Sequence, residues 1–375
     1  MGGVMKTYAA QLLRYPDMGI TLDFSKLPLS ESYVEEMKPL VERAFAEMAQ
    51  LEGGAIANPD EGRMVGHYWL RNSALAPSAE LKAKIDEPLH DLKAFAEEVK
   101  SGSIRTPKGE KYTTCLVIGI GGSALGPELV ADALPSDGLT MRFLDNTDPD
   151  GMYQVLESLP LETTLAVVIS KSGGTPETRN GMVCAQDYFA KHGVAFAPQA
   201  VAVTGVGSKL DQVAVAEGWL KRFPMEDWVG GRTSEMSVVG LVPAALQGVD
   251  IDSMLRGAAE MDAHTRTADV ATNAAMKLAL AWYAAGSGHG SKDMVVLPWP
   301  LPAAYQASAS FMAALAAKSA VRVWASISAA PCSRESISTP CSAAGTSPTT
   351  EVSDVRPPTQ SSMGKRFNQP SATAT

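Results

Sequence analysis

Short strand-like runs recur at 113–118, 141–144, 166–169 and 200–203. The apolar, β-branched run at 166–169 reads as a buried strand of a parallel sheet, and the others read as its neighbours. Helical patterns follow them: to about 134, from Pro149 to about 159, through 178–190, and from Ser208 or Lys209 through 215. Strand and helix alternate about every thirty residues, the rhythm of βαβ units. The expected fold class is α/β, a doubly wound parallel sheet, with ligands at the C-terminal strand ends.

The flanks read differently. Residues 1 to about 110 look helical, with amphipathic stretches at 32–51 and 79–99. Between these lies Gly66-His67-Tyr68-Trp69-Leu70-Arg71. His67 and Arg71 share a face if the segment is helical, and it reads as an aromatic plug with a surface arginine. Two further helices are expected at 251–267 and 272–283. Residues 294–297 resemble the first strand of a second α/β unit. After Pro298 the chain turns rich in Ala, Ser, Thr and Pro, its only acids being Glu335, Glu351 and Asp354. Residues 333–375 show no clear periodicity and read as mostly disordered.

Candidate chemistry gathers where strands end. The run at 166–169 leads into Ser170-Lys171-Ser172-Gly173-Gly174-Thr175, and Pro176 then stands where a helix starts. Hydroxyls and unpaired backbone N–H groups converge at a helix N-terminus, which suits a phosphate monoester. A second glycine-rich loop, Gly119-Ile120-Gly121-Gly122-Ser123-Ala124, follows the first strand. It satisfies G-x-G-x-x-A, and Asp145 follows roughly 20 residues later at a strand end, so a dinucleotide-binding dehydrogenase is a rival reading. A second hydroxyl-bearing loop at the neighbouring strand fits a single phosphate gripped from both sides better than a dinucleotide. Arg232 follows Gly230-Gly231, a tight backbone that projects its guanidinium into a cleft. Ser234 is the expected cap of an apolar helix over 238–246, with Ser237 one turn on.

Composition narrows the partners. The chain has 375 residues, 45% of them hydrophobic, and a formal net charge of -9. This acidic balance argues against nucleic acid as a main partner, while a local nest still holds a small anion. Cys115, Cys184, Cys332 and Cys341 are scattered without a C-x-x-C pair, so neither a zinc site nor a disulfide framework is expected. The first residues lack a signal-peptide core, and Lys6 stands where a myristoylation motif wants Ser or Thr. No uncharged apolar stretch reaches ~20 residues, so no membrane span is expected. The expected location is cytoplasmic.

The segments GIGGSALGP at 119–127, FLDNTDPDG at 143–151, SKSGGTPETRNGM at 170–182 and WVGGRTSEMSVVGLVP at 228–243 resemble bacterial glucose-6-phosphate isomerases. So do GHYWLRNSALAP at 66–77 and GSKDMVVLP at 290–298. The resemblance is strongest with the cyanobacterial-type branch and covers roughly 66–298. It implies two sugar isomerase (SIS) domains with sugar phosphate between them, and interconversion of glucose 6-phosphate and fructose 6-phosphate without metal or cofactor. On this reading, 1–110 is a helical N-terminal segment and 111–250 the first SIS domain. Residues 251–298 begin an incomplete second SIS domain, and 299–375 form a divergent tail. Gly122 and Ser123 would border the substrate. Ser170, Lys171 through its backbone, Ser172 and Thr175 would hold the phosphate, and Arg232 would stabilise a cis-enediolate. A homodimer is implied by the family's habit of pairing subunits. The chain departs from the family's pattern at the general base: with Met312 aligned to the motif Q-x-x-M-E-S-x-G-K, Ala313 stands at the Glu. The family's ring-opening His falls at Ser353, and no general base is assigned. A non-catalytic sugar-phosphate-binding protein is therefore the alternative reading. A reading-frame shift or a mis-read gene near codon 299 accounts for the abrupt change of composition.

Overall fold

A computed structural model describes residues 12–286, apart from residues 17, 18, 26, 28, 29, 31, 135, 136 and 268. The described residues begin with an antiparallel hairpin, β1 (Leu12–Tyr15) and β2 (Ile20–Asp23). Helix α1 (Tyr33–Glu52), a short hairpin of β3 (Ile56–Asn58) and β4 (Arg63–Met64), and helix α2 (Ala79–Ser101) follow. The segment expected to be wholly helical thus carries four short strands. Each spans only two to four residues and finds its partner within a local hairpin, too little length for a clear period. Helix α2 starts where the Ser78 hydroxyl accepts from the Leu81 amide at 3.2 Å and stops at Gly102 with φ 83°.

The centre is a five-stranded sheet. It is built from β5 (Thr114–Ile118), β6 (Thr140–Leu144), β7 (Thr164–Ile169), β8 (Ala200–Thr204) and β9 (Lys221–Pro224), all parallel. Between them run α3 (Leu125–Ala133), α4 (Pro149–Glu157), α5 (Pro176–Lys191) and α6 (Lys209–Glu217). After the sheet come α7 (Val238–Gln247), α8 (Ile251–His264) and α9 (Ala274–Ala285). Every residue of β5, β7 and β8 is buried, which explains their unbroken apolar runs. Leu116, Ile118, Ala166, Val168 and Ala202 face a layer holding Met152, Leu156, Met182, Phe189 and Leu210 of α4, α5 and α6. Cys115, Val117, Leu165, Val167, Val201 and Val203 face the opposite layer, with Leu92 and Phe95 of α2, Val130 of α3, and α7.

Strand order is β6-β5-β7-β8-β9. The first two strands in the chain therefore lie to one side of the third, and the last two to the other. All ten residues of α7 are buried, and the Gln247 side chain donates to Leu134 O at 2.9 Å, tying α7 to the end of α3. Ser237, not Ser234, caps α7: its hydroxyl accepts from the Val239 amide at 3.2 Å. Ser234 lies one turn early and bonds two glycine carbonyls instead. Cys115 is buried in β5 and Cys184 exposed on α5, both as free thiols. The expected strand at 294–297, the tail at 299–375, Met312, Ala313 and Ser353 lie outside the described residues.

Candidate functional site

The strand order creates a crevice. The chain leaving β5 turns toward β6, and the chain leaving β7 turns toward β8, so their loops diverge beyond the strand tips. Ligands of open α/β sheets bind at such a switch point. Both loops singled out in the sequence fall here: 119–124 leaves β5, and 170–175 leaves β7.

The second loop is built by short-range bonds. Ser170 is buried, and its hydroxyl lies 3.4 Å from that of Thr175. The Thr204 hydroxyl at the tip of β8 donates to Ser170 O at 2.6 Å. Thr204 has one proton to give, so the Ser208 hydroxyl, 2.6 Å away, donates to it in turn. Gly173 takes φ 63° and its Cα presses on the Leu210 backbone, where a Cβ would collide. The Gly174 amide donates to the Ser172 hydroxyl at 3.1 Å. Thr175 occupies the N-cap of α5 without spending its side chain on a cap bond, and Pro176 opens the helix. The hydroxyls thus ring a helix end whose first-turn amides the helix itself does not satisfy.

Lys171 is placed in two parts. Its carbonyl accepts from the Gly205 amide at 3.0 Å, within the phosphate-loop side of the crevice. Its ammonium turns the other way and donates to Val229 O at 2.7 Å and Asp227 O at 3.4 Å. Partial burial lowers its pKa, Asp227 opposes that shift, and Arg63 adds to it.

The first loop meets a third element, the connection from β9 to α7. Gly122 packs against Gly231 so closely that a Cβ would strike the Gly231 carbonyl. Gly121 takes φ 56°, and a Cβ there would lie 3.2 Å from an Arg232 guanidinium nitrogen. The Ser234 hydroxyl donates toward Gly231 O at 2.9 Å and Gly122 O at 3.3 Å. Arg232 is exposed and lies over the loop that carries Ser123, itself half-buried. Gly122, Ser123 and Arg232 therefore form one group. Ser170, Ser172 and Thr175 form another across the β5–β7 pair, with Lys171 reaching between them.

This packing bears on the dehydrogenase reading. The bare Gly121 and Gly122 backbone that a pyrophosphate would approach is already covered by Arg232 and Gly231. The third strand also sits beside the first, bringing a hydroxyl loop into the crevice. Asp145 stands at the end of β6, away from both groups, in an open groove with Arg142, Asn146 and Gln154.

The segment 66–71 props the arginine loop from behind. Gly66 N donates to Trp228 O at 2.9 Å, and fully buried Trp69 packs at a tilt against Trp228, ring centroids 5.3 Å apart. The aromatic plug is present, within a 3₁₀ turn rather than an α-helix. Arg71, expected at the surface, is buried. Its guanidinium pairs with Asp262 at 2.7 Å, and Asp262 also binds Arg266 at 2.6 Å. Desolvation pulls the Arg71 pKa down, and Asp262 partly restores it. The burial arises because α8, remote in sequence, supplies the counter-ion. Sequence reasoning also missed Thr204, whose signal was a lone hydroxyl ending an apolar strand beside the loop.

A parallel sheet in this order, with serine-bearing loops at its switch point, defines an α/β sugar-isomerase type of domain. A model of the phosphoglucose isomerase family matches residues 23–314, and the chain belongs to that family. The glucose-6-phosphate isomerase of Synechococcus elongatus is 58% identical over 288 residues, covering 76% of this chain and 54% of that protein. That of Nostoc punctiforme is 55% identical over 296 residues, 78% of this chain and 56% of that protein. The chain thus spans about half the length of the curated relatives it matches. The crystal structure of a glucose-6-phosphate isomerase from Chlamydia trachomatis superposes with a TM-score of 0.65 at 26% identity, over 75% of this chain and 55% of that one.

Proposed function

We propose that this chain binds a hexose 6-phosphate at the β5–β7 crevice and interconverts glucose 6-phosphate and fructose 6-phosphate. The observation that carries the reading is the convergence of Arg232 with the 119–124 loop beside the hydroxyl loop at 170–175. Ser170, Ser172, Thr175 and the N-terminus of α5 take the phosphate, which the helix end favours as an anion. Gly122 and Ser123 border the sugar.

The chemistry follows from the charge that develops. Removing the C2 proton of the open-chain aldose leaves negative charge on O1, and passage of the O2 proton to O1 completes a cis-enediolate whose charge the two oxygens share. The proton then returns at C1 to give the ketose. A guanidinium fixed beside those oxygens stabilises that charge, an effect of order 10²–10³ in turnover for one well-placed donor. The reaction moves a proton between neighbouring carbons and calls for no redox cofactor. The general base is not among the residues assigned. Ala313, at the position where the resemblance implies the Glu, favours a second reading in which the chain binds sugar phosphate without turning it over. We further propose residues 111–250 as the first sugar-phosphate-binding domain, a cytoplasmic location, and association as a homodimer.

A coupled assay for fructose 6-phosphate on the purified chain tests the activity. Turnover that falls about 10²–10³-fold in Arg232→Ala is the expected result. No turnover, together with thermal stabilisation by 6-phosphogluconate, is the result of the second reading. Absence of both overturns the proposal.

A further inference from the structure

The loop that carries Arg232 has its carbonyls satisfied one after another. Trp228 O accepts from Gly66 N at 2.9 Å, Gly230 O from Thr233 N at 3.0 Å, and Gly231 O from the Ser234 hydroxyl at 2.9 Å. From Asp227 to Gly231 two other carbonyls, Asp227 O and Val229 O, both accept from one donor, the Lys171 ammonium. Val229 itself is buried, and the 2.7 Å bond to its carbonyl is partly shielded from solvent. Lys171 is also the residue between Ser170 and Ser172, and its carbonyl accepts from Gly205 N at 3.0 Å. A single side chain therefore spans the two halves of the site: its backbone belongs to the phosphate loop, and its charged end to the arginine loop.

We propose that Lys171 is a positioning residue, whose ammonium braces the Arg232 loop against the phosphate loop and so sets the separation between the phosphate grip and the guanidinium. The proposal rests on the function proposed above for its catalytic meaning, but the brace itself stands on the ligand-free geometry. A cation beside a phosphate loop is ordinarily assigned to the anion. Here the ammonium faces carbonyl oxygens, which accept from its donors, so its charge is engaged on the arginine loop. Burial lowers its pKa, and the charged groups that act on it are Asp227 and Glu61 against Arg63.

Two readouts on the full chain test it. Hydrogen exchange without ligand reads the brace alone: Lys171→Met speeds exchange at least tenfold in peptides spanning 226–237, and Lys171→Arg restores protection there. If Lys171→Met unfolds the chain, Lys171→Gln, neutral but still a donor, is read the same way. Unchanged exchange in that segment overturns the proposal. Titration with inorganic phosphate and with 6-phosphogluconate reads the coupling. Lys171→Met weakens 6-phosphogluconate at least tenfold more than it weakens phosphate. Combined with Arg232→Ala, it adds less than twofold, because both changes remove the same interaction. Equal weakening of both ligands, or full additivity, overturns it and makes Lys171 a direct phosphate ligand. Faster loop exchange in Lys171→Met, together with a wild-type chain that binds neither ligand, would leave the brace standing and remove the proposed function.

Discussion

Single side chains decide both the stability and the shape of this site. The Arg71 and Asp262 side chains are each 3% exposed, while the Arg266 side chain on the far side of Asp262 is 33% exposed. Removing one partner of a buried pair strands the other charge, at about 3–5 kcal/mol. Asp262→Ala is therefore expected to cost about that much in urea unfolding. Arg266→Ala, at the wet end of the same network, costs about 1 kcal/mol or less. At Gly122 the constraint is space. Gly122→Ala drives a Cβ into the Gly231 carbonyl, so the loops must part. The expected destabilisation is about 1–3 kcal/mol by overpacking. Calorimetric titration should also find 6-phosphogluconate affinity lost at least tenfold, since Arg232 moves with Gly231.

At the scale of elements, the four longest sheet strands were legible in the sequence to within two residues: β5, β7 and β8 because burial on both faces leaves an unbroken apolar run, and the half-exposed edge strand β6 from its place in the strand–helix rhythm. The helix starts at Pro149 and at Ser208 or Lys209 were legible as well, and Asp148 and Ser208 are the residues that cap them. What escaped reading depends on distant partners or on too few residues. β9 has only Phe223 fully buried among its four residues, and it begins with Lys221 and Arg222, which read as a polar turn. Arg71 looks like any surface arginine until α8 supplies Asp262, 191 positions away. The α8–α9 junction carries a pH dependence of its own. His264 Nε2 accepts from the Ala274 amide at 3.2 Å, and Tyr15 meets its ring edge-on. Burial holds its pKa below the ordinary 6.5, so the folded chain resists a proton that the unfolded chain takes up. Stability from this group is intact above that value and lost as pH falls below it. Melting curves at pH 7.5 and 5.5 should therefore show a larger acid-side drop in the wild type than in His264→Gln.

For the molecule as a whole, topology does what no single motif does. G-x-G-x-x-A after a strand is shared with dinucleotide-binding folds, and the sequence alone left that alternative standing. The order β6-β5-β7-β8-β9 separates them, because it sets β7 and its hydroxyl loop directly beside β5. The connection from β9 then crosses to α7, laying Gly231 on Gly122 and Arg232 over Gly121. The loops were readable as chemistry from their residues, and their meeting only from the fold. The site is therefore a property of three chain crossings, held in place by the aromatic pair Trp69 and Trp228 behind it. The most direct measurement is calorimetric titration of the full chain with 6-phosphogluconate, set against a Ser172→Ala/Thr175→Val double variant. One molecule bound per chain, with affinity at least tenfold weaker in the variant, is the expected result. No binding to the wild type, or equal affinity in the two, would contradict a sugar phosphate held at this crevice.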